Sequence, residues 1–237
     1  MTTTETLPQC WQDLGDAIVA GVKRIILFGP PGLGKTNSSL NFNVDHRGSE
    51  RVVCNEDMTS ADVTGCMMPG EGGLFHWNDG AVLKAWKRGA RVVADEVDRA
   101  SGDVLSLLLA MFDSPESASW THPITGEVFR PHEDFSVFMT TNVEDMDDLP
   151  TALKDRFPVA IRINRPHPDA LARLSPDLRQ AASLSGDRRG RERISLRTWF
   201  SFDQMRSSLG DDRAASLVFR DMAPDILDAI RINSVSV

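Results

Sequence analysis

The chain has no tyrosine and only three cysteines, Cys10, Cys54 and Cys66, among its 237 residues. An odd count at these spacings suits neither a disulfide framework nor a zinc site, so the thiols read as reduced packing residues. The five histidines are scattered, without a His-x-x-x-His pair, which argues against a structural metal. No apolar run exceeds six residues, too short for a membrane span. Met1 to Gln9 is polar and lacks the basic-then-apolar order of a signal peptide, so the expected location is cytoplasmic. Basic charge is also in deficit: 34 acidic side chains face 26 basic ones, a net charge of −8, which disfavours attraction to a phosphate backbone. The local exception, Arg188-Arg189-Gly190-Arg191-Glu192-Arg193, reads as a surface loop rather than a nucleic-acid site. No repeat or low-complexity stretch is present. The remaining 41% hydrophobic content is enough for a buried core.

What is present begins with Gly29-Pro30-Pro31-Gly32-Leu33-Gly34-Lys35-Thr36, directly after the apolar run Ile25 to Phe28. This is the pattern of a phosphate-binding loop between a strand and a helix. Glycines let the backbone curl so that successive N–H groups face a phosphate, and the helix starting near Lys35 adds its positive dipole end. Lys35 is placed to reach the β- and γ-phosphates, and Thr36 to hold Mg²⁺, the only metal expected here.

Apolar strands and amphipathic helices alternate along the chain. Residues 6–21 read as a helix with Trp11, Leu14, Ile18 and Val22 on one face, followed by strands at Ile25–Phe28, Arg51–Cys54, Arg91–Glu96, Phe135–Thr140 and Val159–Ile163. Helices are expected over Ala81–Arg88, closed by Gly89, over Val104–Phe112, and over Leu149–Arg156. Gly65 to Gly73 is expected to be a loop and Leu74 to Gly80 a tight turn, while Gly126 centres a hairpin between residues 119–122 and 127–130. Strands alternating with helices argue for an α/β fold with a parallel sheet covered on both faces. After Pro166-His167-Pro168 the pattern is helical throughout, so residues 1–165 are assigned to a nucleotide-binding core and 166–237 to a small helical lid.

Asp95-Glu96 ends one of the strands downstream of the phosphate loop. An NTPase needs one carboxylate there for Mg²⁺, assigned to Asp95, and another to orient and activate the attacking water, assigned to Glu96. Asn142, at the end of the next strand, is placed to bond the same water or the γ-phosphate.

In this order the elements resemble the AAA+ ATPases, and among them the MoxR-type group, with similarity also to cobaltochelatase-type subunits. The resemblance rests on Gly29–Thr36 as Walker A, Val92–Glu96 as Walker B, Thr140-Thr141-Asn142 as sensor 1, Ala152 to Phe157 as the arginine-finger segment and Ser195-Leu196-Arg197 as sensor 2. It extends to residues 59–65 and 73–80 as a helix-2 insert, to Asp95-Glu96-Val97-Asp98-Arg99-Ala100, and to the Gly126 hairpin as the insertion before sensor 1. It implies a P-loop core with a helical lid, ATP and Mg²⁺ as cofactors, and a ring, commonly a hexamer, with ATP between adjacent subunits. Arg156 then acts on the neighbour's phosphate, Arg99 is a weaker candidate for the same contact, and Arg197 reaches the γ-phosphate of its own subunit. The chain carries no evident extra recognition domain, so specificity falls to loops such as Met67 to Trp77, where Phe75 and Trp77 either line a pore or lie packed.

The activity expected from this is ATP hydrolysis coupled to remodelling or activating a protein partner, which the resemblance suggests carries a von Willebrand factor A domain. A DNA-directed motor subunit of a restriction or phage complex is the alternative. A nucleotide-gated scaffold has no need of Glu96.

Overall fold

A computed structural model describes residues 7–185 and 193–234. The chain divides into two compact units, one formed by Leu14–Gly29 with Lys35–Arg162, the other by the segment up to Asp13, Pro30–Gly34 and everything from Ile163 onward.

In the first unit, a parallel five-stranded sheet runs in the order β2 (Ser49–Val53), β5 (Arg91–Asp95), β8 (Ser136–Thr140), β1 (Arg24–Phe28), β9 (Val159–Arg162). The interior strands are the near-continuous apolar runs, as burial on both faces requires, and β5 is buried at all five positions. Between these strands lie α2 (Lys35–Asn41), α3 (Ser60–Thr64), α4 (Ala81–Arg88), α5 (Gly102–Met111) and α6 (Thr151–Arg156), preceded by α1 (Gln9–Val19), which bridges the two units in sequence. Gly89 ends α4 in the left-handed conformation at φ 71°, with its N–H donated to the Ala85 carbonyl. Trp86, Leu83 and Val82 on α4, Leu108 and Phe112 at α5, and Val92, Ala94 and Met139 on the sheet belong to one buried cluster.

The sheet's register decides where chemistry can occur. Leu27 and Asp95 both lie beside Thr140, on opposite sides of β8, so the strands end in one row. Because all are parallel, the segments after β1, β5 and β8 emerge at the same edge, where open α/β sheets bind ligands.

Two small antiparallel ribbons project from this unit. Residues 65–80 were expected as loop and turn, and the structure corrects this: β3 (Gly65–Pro69) pairs with β4 (Phe75–Asp79), from Gly65 opposite Asp79 to Pro69 opposite Phe75. Its glycines are confined to the ribbon's ends, and Pro69, the last strand residue, sits where a missing N–H is tolerated. Much of its support is distant in sequence. Trp77 packs 4.7 Å from His122 and 6.0 Å from Trp120 between ring centroids, on the second ribbon formed by β6 (Trp120–Thr121) and β7 (Val128–Phe129). Trp77 is thus half-buried, whereas Phe75, Leu74, Met67 and Met68 are exposed.

The second unit contains α7 (Pro168–Ala172), α8 (Pro176–Ser185), α9 (Leu196–Leu209), α10 (Asp211–Phe219) and α11 (Ala223–Ser234). Trp199, Phe202 and Phe219 meet in its core, with Ala214 and Ala215 buried beside them. Arg206 ties α8 to α9, donating to both oxygens of Asp177 at 2.6 and 2.8 Å and to Asp203 at 3.0 Å. The Arg206 bond holds the Asp177 carboxyl below the usual carboxylate range.

Candidate functional site

The residues at the sheet edge converge within the first unit. Lys35, at the start of α2, is 6% exposed, and its ammonium donates to the Gly29 carbonyl at 2.7 Å and to Asn142 Oδ1 at 3.1 Å. Thr36 donates its hydroxyl to Asp95 Oδ1 at 2.8 Å. Thr140 donates to the same oxygen, and Arg51 donates to Oδ2 through Nε at 3.1 Å and also through Nη2. Burial works to raise the Asp95 pKa, but the bonds from Thr140, Arg51 and Thr36 hold the carboxyl below its ordinary value. The donor set fits a hard divalent cation, since a threonine hydroxyl and a carboxylate already lie together at one strand end and both are oxygen ligands.

Glu96 follows directly, with φ 57° and ψ 44°, one of three non-glycine residues with positive φ among those described. Such backbone costs about 1–2 kcal/mol for a residue with a side chain and persists where its surroundings impose it. Its carboxylate accepts from Asn142 Nδ2 at 3.3 Å and pairs with Arg99 Nη1 at 3.1 Å. The Asn142 amide therefore touches both Lys35 and Glu96. The end of β8 is itself fixed: Thr141 donates to Asp98 at 2.6 Å, and the Gly29 N–H donates to the Val143 carbonyl at 2.9 Å.

The other expected site residues lie as follows. Arg156 ends α6, one third exposed, with Nε 3.3 Å from Asp113 and Nη1 donating to the Ala152 carbonyl at 3.1 Å. Arg99 contacts Glu96 within its own chain. Pro30, Pro31, Gly32, Leu33 and Gly34 belong to the helical unit, where Gly32 has φ 79° and accepts from the Leu196 N–H at 3.2 Å. Arg197 stands exposed in the first turn of α9, after Ser195, whose hydroxyl accepts from the Thr198 N–H. Arg188, Arg189, Gly190, Arg191 and Glu192 lie outside the described residues.

Two contributors were absent from the sequence expectations, Arg51 and Arg91. Arg51 bonds Asp95 as above, as does Thr140, which the resemblance had placed only within sensor 1. Arg91, 7% exposed, donates Nη1 to the Ser39 and Phe42 carbonyls at 3.0 and 2.7 Å and lies 4.0 Å over the Phe138 ring. It clasps the carboxyl end of α2, the helix whose first turn carries Lys35 and Thr36, where the helix dipole favours a cation. Burial pulls the guanidinium down to about 10. An arginine opening an apolar strand was the available signal.

A family model described as AAA domain (dynein-related subfamily) matches residues 24–157. An uncharacterized protein of Staphylococcus saprophyticus is 31% identical over 172 residues, covering 70% of this chain and 63% of the relative. Protein CbbQ of Hydrogenophilus thermoluteolus is 31% identical over 150 residues, 61% of this chain and 54% of that protein. Midasin of Dictyostelium discoideum is 33% identical over 125 residues, 51% of this chain and 2% of midasin. The chain thus spans less than two thirds of the length of these curated relatives.

Proposed function

This chain belongs to the AAA domain family, dynein-related subfamily, in agreement with the MoxR-type resemblance of its motifs, and from that premise we propose that it is a cytoplasmic ring ATPase. It hydrolyses ATP to ADP and phosphate and couples turnover to remodelling or activating a protein partner. The observation that carries this reading is the linked set Gly29 carbonyl, Lys35, Asn142 and Glu96, beside Thr36 on Asp95. Phosphate charge, metal-side carboxylate and water-side carboxylate are then separate groups on one sheet edge.

In this reading Lys35 turns from the Gly29 carbonyl to the β- and γ-phosphates. Thr36 and Asp95 hold Mg²⁺, which when bound neutralises charge developing on the phosphate oxygens. Glu96 accepts a proton from the attacking water, and Asn142 orients that water toward the γ-phosphorus. Arg156, from the adjacent subunit of a ring, stabilises the leaving charge, which makes turnover depend on assembly. The partner is a protein, with a von Willebrand factor A domain as the form suggested by resemblance. The test is phosphate release as a function of protein concentration, with ring size followed by sedimentation. Turnover per chain should rise with assembly, and a monomer turning over at the ring's rate would defeat the reading.

A further inference from the structure

We propose that Arg51 is a positioning residue that sets the Mg²⁺ requirement of the phosphate site: it holds Asp95 Oδ2 before nucleotide binds and must release that oxygen when the metal arrives. The inference rests on the reading of Asp95 as the metal-side carboxylate.

The register supplies the geometry. Val53 lies directly beside Asp95 on neighbouring strands, so Arg51, two residues earlier, shares its face of the sheet. The two Asp95 oxygens have unlike partners. Oδ1 accepts from the neutral hydroxyls of Thr36 and Thr140, and a hydroxyl keeps lone pairs for a cation while it donates. Among the described residues Oδ2 accepts only from Arg51, through Nε and Nη2 together, so a full positive charge sits where a second cation would be drawn to the carboxylate. A guanidinium and a divalent cation on one carboxylate repel each other.

Arg51 is also placed to leave. Its side chain is 47% exposed, on the edge strand β2, while the Asp95 side chain is only 8% exposed. A long, solvent-facing arginine can swing its head into water while its stem stays on the strand. Arg91 offers the contrast: it is buried, and its Nη1 and Nη2 donors go to main-chain carbonyls. An ion pair that is merely structural predicts no dependence of metal affinity on Arg51.

The test is Mg²⁺ titration of the EDTA-treated protein at fixed ATP carrying a fluorescent ribose label, reading nucleotide binding rather than turnover. Arg51→Gln should lower the half-saturating Mg²⁺ concentration roughly three- to tenfold, with affinity in EDTA unchanged. Arg51→Lys, which keeps the charge but loses the fork, should fall between. Asp95→Asn should raise the Mg²⁺ requirement, and adding Arg51→Gln to it should shift nothing further. An unchanged or raised midpoint in Arg51→Gln, with Asp95→Asn still shifting, overturns the role of Arg51 alone. No shift in Asp95→Asn overturns the metal assignment and the inference with it. Should Arg51→Gln fail to fold by circular dichroism, the Arg51→Lys midpoint decides by the same criterion.

Discussion

The Asn142 side-chain amide joins Lys35 to Glu96, accepting from the lysine at 3.1 Å and donating to Glu96 Oε1 at 3.3 Å. In the proposed mechanism one short side chain thereby spans two separate tasks, holding phosphate and activating water. Glu96, with left-handed backbone, gives its carboxylate to Asn142 and Arg99, while Asp95, one residue earlier, stays buried beside Thr36.

The separation can be measured. Lys35→Ala should abolish detectable ATP binding. Glu96→Gln should bind ATP with nearly normal affinity and lose about 10²- to 10⁴-fold in kcat, the usual contribution of a general base. Equilibrium binding and phosphate release on the same preparations check both. Wild-type turnover in Glu96→Gln would remove Glu96 from the proposed chemistry.

Arg156 gives a second expectation. Its guanidinium rests on Asp113 and on the Ala152 carbonyl of its own helix, and is one third exposed, so it can be presented to a neighbour. Arg156→Ala should cost about 10³- to 10⁵-fold in turnover with ATP binding retained. Mixing it with Lys35→Ala should restore activity, because a mixed ring contains interfaces with an intact phosphate site facing an intact arginine. Absence of rescue under conditions where mixed rings are seen by native mass spectrometry would argue that Arg156 acts elsewhere.

Cys54 lies 1% exposed after β2, and burial, with the charges of Asp95, Asp98 and Glu96, pushes its thiol from 9.0 up to about 12. The raised folded-state pKa stabilises the fold fully below the unfolded thiol's pKa, and this contribution is lost as pH rises from 9 toward about 12. Iodoacetamide at pH 8 should therefore modify Cys54 only after unfolding, and Cys54→Ser should flatten the loss of stability between pH 9 and 11. Mass-mapped alkylation of the native protein checks the first point, and denaturant midpoints across pH check the second.

The core elements were legible because their signals are local. Ile25–Phe28, Arg91–Asp95 and Phe135–Thr140 are apolar runs bounded by glycine, carboxylate or asparagine, and their parallel pairing follows from the helices between them. The ribbon of β3 and β4 was not legible, because glycine, proline and methionine dominate residues 65–73 while Trp77 finds its partners more than forty residues away at Trp120 and His122. Arg51 was missed for a related reason: its meaning depends on Val53 lying beside Asp95, a register that no single strand displays.

The partner expectation follows from what that ribbon exposes. Met67, Met68, Leu74 and Phe75 are 41%, 43%, 76% and 64% exposed, so the ribbon offers apolar side chains to solvent rather than a basic face. Methionine and aromatic side chains adapt to protein surfaces, whereas sequence-tolerant nucleic-acid binding relies on cations along a groove, and the chain's net charge is −8. Glu96→Gln held with ATP and Mg²⁺ should therefore retain a specific protein that ADP releases. That protein, once purified, should raise wild-type turnover, while duplex DNA should not. Met68→Asp with Phe75→Asp should weaken retention and leave basal turnover within about twofold, since surface changes away from the chemistry have small effects. Phosphate release with each candidate activator, and mass spectrometry of what the ATP-locked protein retains, provide the two readouts. Stimulation by DNA with no protein retained would move the assignment to a DNA-directed motor, and the exposed ribbon would then need a different occupant.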